Sequence, residues 1–222
     1  MMTIPTSVRK PYRGAPMEGI LATWYAKNTA GADFKACASR IAAHLAPGAH
    51  VLEVAPGPGY LAVALARLGS YRITGLDISR SFVRMASEYA ARAGVDVAFR
   101  QGDAAALPFP DAAFDFVVCR AAFKNFSDPV AALREMHRVL RPAGEALIID
   151  MRNDASNEAI DSAVEEMHLG RLDAFLTRAI FKHSLRKRAY SADDFQRMAA
   201  ATPFGRADIK AEPMGFDVWL RR

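Results

Sequence analysis

The feature that most constrains this chain is an alternation of short apolar, β-rich runs with amphipathic stretches. Val51–Ala55, Tyr71–Asp77, Val95–Gln101, Phe114–Cys119 and Glu145–Asp150 read as strands, with starts spaced roughly 20–30 residues apart, the span of a strand, a crossover helix and two loops. Between them lie helical patterns at Tyr60–Leu68, stopped by Gly69, at Ser79–Ala93, stopped by Gly94, and at Asp128–Leu140, stopped by Arg141-Pro142-Ala143-Gly144. Ser79 and Asp128 have the chemistry of N-caps, and a glycine after a helix suits a left-handed C′ position. Upstream, Ala32–Leu45 carries apolar residues at helical spacing, and Glu18–Lys27 reads as a shorter helix. After Asp150 the rhythm breaks: Asn157–His183 reads as two helices, Ser191–Ala200 as another, and Arg206–Glu212 with Gly215–Leu220 as an antiparallel hairpin at a sheet edge. The expectation is an α/β chain with a Rossmann-like, doubly wound, mostly parallel seven-stranded sheet ending in an antiparallel hairpin strand.

The segment Val51-Leu-Glu-Val-Ala-Pro-Gly-Pro-Gly-Tyr-Leu-Ala62 leaves the first strand, turns through two glycines and starts a helix. Gly57-Pro58-Gly59-Tyr60-Leu61-Ala62 fits G-x-G-x-x-A, and Asp77 closes the second strand as a ribose-binding acid should. A nicotinamide dinucleotide is therefore one reading, with oxidoreductase activity attached. Against it, a pyrophosphate needs backbone N–H donors, and Pro56 and Pro58 have none. Glu53, at the end of the first strand, would also repel a phosphate, so the loop suits a cation that carries a ribose.

S-adenosylmethionine is such a ligand, and the resemblance runs through several motifs. VLEVAPGPGYLA resembles the glycine loop of class I S-adenosylmethionine-dependent methyltransferases, and GLDIS their acidic second-strand motif. The stretch FRQGDAAALPFPDAAFDFVVCRAAFKNFSDPVAALREMHRVLRPAGEALIID resembles the ubiquinone/menaquinone-biosynthesis-like branch, the methyltransferase type 11 group; the likeness covers about 46–150. It implies that Gly57 and Gly59 line the methionine moiety, with Glu53 orienting its ammonium. Asp77 would accept both ribose hydroxyls, and Ile78 would pack on the adenine. Asp103 would accept from the adenine amine, and the Ala104 N–H would meet a ring nitrogen. Cys119 and Arg120 would border the methionine and the sulfonium. Two positions depart from the pattern: Ala55 replaces the usual first glycine of the loop, where its methyl narrows the turn without removing a ligand, and Pro142-Ala143-Gly144 replaces Pro-Gly-Gly. Tyr12, Trp24 and Tyr25 belong to an N-terminal segment placed to close over the cofactor, with Tyr25 able to reach its carboxylate.

Methyl transfer is an in-line displacement that needs alignment, desolvation and removal of an acceptor proton. His168 is the candidate general base and Lys124, in Phe123-Lys124-Asn125-Phe126, a second catalytic candidate beside the transferred methyl; no metal is implied. The expected reaction is methyl transfer to a small-molecule acceptor, giving S-adenosylhomocysteine, with oxygen, nitrogen, carbon and sulfur acceptors all open. Cys119-Arg120-Ala121-Ala122 stands where nucleobase or glutamine amino-methyltransferases carry Asn/Asp-Pro-Pro-Tyr, which argues against a nucleic-acid partner.

Composition narrows the remainder. With 222 residues, 51% hydrophobic and 24% charged, the chain fits a single methyltransferase domain divided into a helical lid (1–45), a cofactor-binding core (46–150), a helical cover over the acceptor (151–205) and an edge hairpin (206–222). Two cysteines, Cys37 and Cys119, set no disulfide framework, and no apolar run reaches the ~18 residues of a membrane span. A cytoplasmic protein without a membrane partner is expected, and oligomeric state is left open by the sequence. The segment 171–188 holds six basic residues and one acid, so the net charge of +5 is local to it. That run reads as a solvated face or pocket rim, with a polyanion or RNA site as the alternative.

Overall fold

The computed structural model describes residues 12–13, 17–30 and 34–222. Seven strands form one sheet: β1 (His50–Val54), β2 (Arg72–Asp77), β3 (Val97–Gln101), β4 (Phe114–Arg120), β5 (Leu140–Met151), β6 (Asp208–Ala211) and β7 (Gly215–Arg221). Their order is β3-β2-β1-β4-β5-β7-β6. The first five are mutually parallel, β7 runs antiparallel between β5 and β6, and the hairpin lies at the edge as expected. The helices are α1 (Gly19–Thr29), α2 (Phe34–Ala42), α3 (Tyr60–Ala66), α4 (Arg80–Ala93), α5 (Pro129–Val139), α6 (Asn157–Glu166), α7 (Arg171–Ile180), the single turn α8 (Arg186–Arg188) and α9 (Ala192–Ala200). The N-terminal end of the expected helix at Ala32–Leu45 falls outside the described residues.

Both faces of the sheet are covered, which is why the central strands read as continuous apolar runs. Successive residues alternate between the faces. Val51, Ile73, Phe116, Val118 and Leu147 pack with Ile41 of α2 and Leu61 and Leu65 of α3. Leu52, Val54, Val117, Cys119, Ala146 and Ile148 pack with Leu133 and Met136 of α5 and Phe195 of α9. Both cysteines are buried free thiols.

The caps work as the sequence implies where a side chain makes them. Ser79 accepts from the N–H of Phe82, Asp128 from that of Ala131, and Ser191 forms a reciprocal box with Asp194. Gly94 takes the left-handed conformation at φ 67°, its N–H bonding back to Ala90 and Ala91, while Val95 bonds to Ala90 instead of opening β3. Gly69 differs from expectation. α3 ends at Ala66, and a Cβ on Gly69 would lie 2.8 Å from the Tyr71 ring, so close approach rather than handedness sets that glycine. Arg141-Pro142-Ala143-Gly144 is likewise no helix stop of its own: Leu140 already pairs with Phe114, the register shifts, and β5 runs on to Met151. Ala143 there is held at φ 64°.

Beyond α7 the chain does not turn off as a separate element. A π-helical turn, Phe181–Leu185, joins α7 to α8 and makes 171–188 one rod. Among the described residues no helix is long and apolar enough to cross a membrane.

Candidate functional site

Parallel strands deliver their C-terminal ends to one rim, and the order reverses between β1 and β4, where open α/β sheets form a crevice. The loop after β1 is bent by three residues at positive φ: Ala55 (58°), Gly57 (55°) and Gly59 (81°). Gly59 is also sterically required, because a Cβ there would sit 2.8 Å from that of Ala86 and 2.9 Å from the Phe99 ring. At Gly57 a Cβ would meet only the Tyr25 ring, at 3.9 Å, which places Tyr25 of α1 directly over the turn.

Asp77, buried at the tip of β2, accepts the N–H of Gly57 through Oδ2 (3.0 Å) and that of Ser79 through Oδ1 (2.9 Å). Burial outweighs these donors and raises its pKa to about 6. Glu53 of β1 is deeper. Desolvation lifts it to about 8, offset in part by Arg120 and by the Ala62 N–H, with the charge of Asp77 adding to the rise. Its Oε2 is buried and has no hydrogen-bond partner. A buried carboxylate oxygen without a donor is uncommon in a folded protein and marks a place where one is to be supplied. Near pH 7 Glu53 is therefore held mainly in its neutral form, while Asp77, although raised, remains mainly ionised.

The other side of the crevice comes from β4 and β5. Cys119 is buried, its thiol pushed well upward by desolvation and by Asp150. Arg120 stacks over Phe34 of α2 at 4.6 Å and lies close enough to Glu53 and Tyr25 to lower both. Lys124, in the short 3-10 turn after β4, is 3% exposed and so is not a solvated loop cation. Its ammonium bonds Asp150 Oδ1 at 2.6 Å and the Ala121 carbonyl at 2.7 Å, and its N–H donates to Asp150 Oδ2 at 2.8 Å. Breaking such a pair by removing one partner typically costs 3–5 kcal/mol. Next to it, Asn125 Oδ1 is buried without a partner.

Tyr12 closes this side. It forms a β-bridge with Phe126, while the Arg13 N–H donates to the Asn125 carbonyl at 2.7 Å and its guanidinium to Tyr190 Oη at 3.2 Å. Burial, Tyr25, Asp77 and Asp150 push the Tyr12 phenol up to about 12 against the pull of Arg188, so it stays neutral.

The structure thus brings together Glu53, Ala55, Gly57, Gly59, Asp77, Tyr25, Cys119, Arg120 and Lys124. Asp103 and Ala104 follow β3 in the neighbouring position, Gly102 bonding the Asp77 carbonyl. The Asp103 carboxylate accepts from the N–H of Ala105 at 2.9 Å, an Asx turn. Ile78 is half-buried beside Asp77. His168 is not among them. It is exposed in the turn after α6 at φ 49°, its N–H bonded to Glu165, and none of the described contacts of the crevice involves it. Asp150 was missed, although its signal is the one that identifies Glu53 and Asp77, an acid closing an apolar strand. The basic run is also less free than its count implies, since Arg178 and Lys182 are paired with Asp161 and Arg178 with Glu165 as well.

Comparison with known proteins agrees with this geometry. Residues 52–148 match the model of a methyltransferase domain. Among curated relatives, the uncharacterized methyltransferase YcgJ of Bacillus subtilis is 34% identical over 175 residues, covering 78% of this chain and 64% of YcgJ. The demethylmenaquinone methyltransferase of Thermus thermophilus is 39% identical over 101 residues, 45% of this chain and 46% of that one. The chain thus spans less than two thirds of the length of either relative. A candidate S-adenosyl-L-methionine-dependent methyltransferase of Methanococcus maripaludis superposes with a TM-score of 0.74 at 21% identity, covering 94% of both chains. A SAM-dependent methyltransferase from Aquifex aeolicus does so with 0.63 at 18% identity, covering 83% of this chain and 88% of that one. These two show the shared fold. Domain match and sheet order together show that residues 52–148 carry a methyltransferase domain, on the fold shared with these S-adenosylmethionine-dependent enzymes.

Proposed function

We propose that the chain binds S-adenosylmethionine across the tips of β1, β2 and β4 and transfers its methyl group to a small-molecule acceptor held beneath Tyr12. The observation that carries this is the partnerless, buried Glu53 Oε2 in a pocket that also holds Arg120 and Asp77. A methionine moiety is a zwitterion: its ammonium supplies the donor that Glu53 lacks, and its carboxylate suits the Arg120 guanidinium with Tyr25 alongside. Asp77 takes the ribose hydroxyls, with Ala55, Gly57 and Gly59 keeping the loop backbone close. Ile78, Asp103 and the Ala104 N–H flank the adenine, and Cys119 forms the floor. When bound, the sulfonium provides the activated methyl group and its leaving group.

The chain's own contribution is placement. Asp150 fixes the Lys124 ammonium, and Lys124, Asn125 and Tyr12 present polar atoms to the acceptor in a dry chamber, where such contacts are stronger than in water. Tyr12 stays neutral and can donate a hydrogen bond. With His168 outside the chamber, no histidine is assigned to remove a proton. The name of the Thermus thermophilus relative makes a demethylmenaquinone-like ring the first acceptor to try.

Two measurements test the reading. S-adenosylhomocysteine should bind in the micromolar range by calorimetry, and the chain incubated with labelled methyl donor and a small-molecule extract should label a discrete product. Absence of binding by the intact chain at millimolar ligand would overturn the cofactor assignment. Label found only in protein or RNA would overturn the acceptor class.

A further inference from the structure

The rod 171–188 carries apolar residues on two different sides. After Ile180, Phe181 and Leu185 pack inward with Met151, Ile160 and Ala189. Before it the orientation is inverted. Thr177 is buried, Asp173 accepts from the Trp24 indole, and Arg178 reaches Asp161 and Glu165. Leu172, Phe175, Leu176 and Ile180 are instead 71, 67, 41 and 38% exposed. Their spacing puts them on one stripe of α7. A strongly amphipathic helix that turns its apolar stripe to water leaves hydrophobic area that the fold itself does not use.

Charge marks what it is used for. Arg171 and Lys187, at the two ends of the rod, are exposed and have no carboxylate partner among the described residues. The same holds for Lys27 and Arg84, which line a hollow of about 460 Å³ with Ile20 and Trp24 on α1, the helix tied to α7 through Trp24 and Asp173. Ile20 there is 90% exposed. An apolar stripe edged by unpaired cations is the pattern of helices that lie in a lipid interface. A second copy of the chain would bring like charges together on this face.

We propose that α7, with the exposed end of α1, docks on an anionic lipid bilayer. Leu172, Phe175 and Leu176 enter the boundary between headgroups and acyl chains, and Arg171, Lys187, Lys27 and Arg84 meet lipid phosphates. The expectation of no membrane partner rested on the lack of a spanning segment, which a surface-lying helix does not need. The proposal does not depend on methyl transfer.

The test is sedimentation of the full chain with phosphatidylcholine vesicles containing 30% phosphatidylglycerol, against phosphatidylcholine alone. Binding is expected to the anionic vesicles, at least tenfold tighter than to neutral ones and weakened by 0.5 M salt. Phe175→Glu should lower it tenfold or more, and Leu172→Ser gives a second, milder variant. Arg171→Glu should lower it severalfold, each basic residue near such a surface being worth about fivefold in affinity. Leu68→Glu, at an exposed site elsewhere, should change nothing. Failure of the chain to sediment with anionic vesicles, or undiminished binding by both α7 variants, would overturn the proposal. So would a dimer in sedimentation velocity that Phe175→Glu dissolves, since a second copy would then cover the stripe. Titration of S-adenosylhomocysteine into the same preparations reports on the cofactor site separately, so that either assignment can fail alone.

Discussion

Helices α4 and α7 are comparably amphipathic, yet they face opposite ways. α4 turns Phe82, Ala86 and Ala90 inward, is capped by Ser79 at one end and Gly94 at the other, and buries its apolar stripe against the sheet. α7 has no side-chain N-cap, runs into a π turn, and turns Leu172 and Phe175 outward. Sequence periodicity fixes the stripe but not the side on which the protein lies. The apolar stripe of α4 is used by the fold, and that of α7 is left exposed. α4 lies within residues 52–148, where the methyltransferase domain matches, and α7 lies outside them.

Mutations can break or sharpen the contrast. The largest effect is expected in the core: Phe82→Ala should cost about 3–5 kcal/mol in denaturant unfolding, while Phe175→Ala should stay within about 0.5 kcal/mol. Equal losses would show that α7 is packed as tightly as α4. Next, Asp77→Ala should weaken S-adenosylhomocysteine about 100-fold, near 2.7 kcal/mol, measured by calorimetry, with Phe175→Ala leaving it unchanged. A normal affinity in Asp77→Ala would detach the β2 tip from the cofactor.

A pH effect of middle size follows from Glu53. Its pKa of about 8 lies above the ordinary value of 4.5, so the folded chain favours its proton. The ionised form then costs stability as pH rises between those two values, and the cost is constant above about 8. A cationic ligand reverses the balance. Affinity for S-adenosylmethionine should rise about tenfold between pH 6 and 8, and Glu53→Gln should reduce that rise to the part contributed by Asp77. The smallest effect is stabilising. Ala55→Gly and Ala143→Gly relieve left-handed alanines at φ 58° and 64°, each worth about 1 kcal/mol in thermal unfolding. No gain would mean that the surrounding loop has already absorbed the strain.

Much of the sheet was legible because a parallel strand buried on both faces must be apolar throughout, and because each crossover needs a helix between its strands. Glu53 and Asp77 were legible for a related reason: an acid that closes such a strand has few explanations. Asp150 obeys the same logic, but it lies two strands from the glycine loop and its partner is the Lys124 ammonium. The burial of Lys124 was not legible, since it depends on Asp150 arriving from β5, 26 residues away. His168 invites a catalytic reading by its residue type, whereas its exposed position is set by how α6 ends. Ala55 and Ala143 carried information beyond crowding: both stand where the backbone turns left-handed, a conformation that favours glycine.

One arrangement ties these regions into a single mechanical part. The Arg188 guanidinium holds the Arg13 carbonyl at 2.9 Å, Arg13 in turn holds Tyr190 and Asn125, and Tyr12, next to it in sequence, bridges Phe126. A run of hydrogen bonds therefore joins the C-terminal end of the rod to the residues under which an acceptor is proposed to lie. The proposed bilayer contact and the proposed acceptor site would in that case sit at the two ends of one bonded chain.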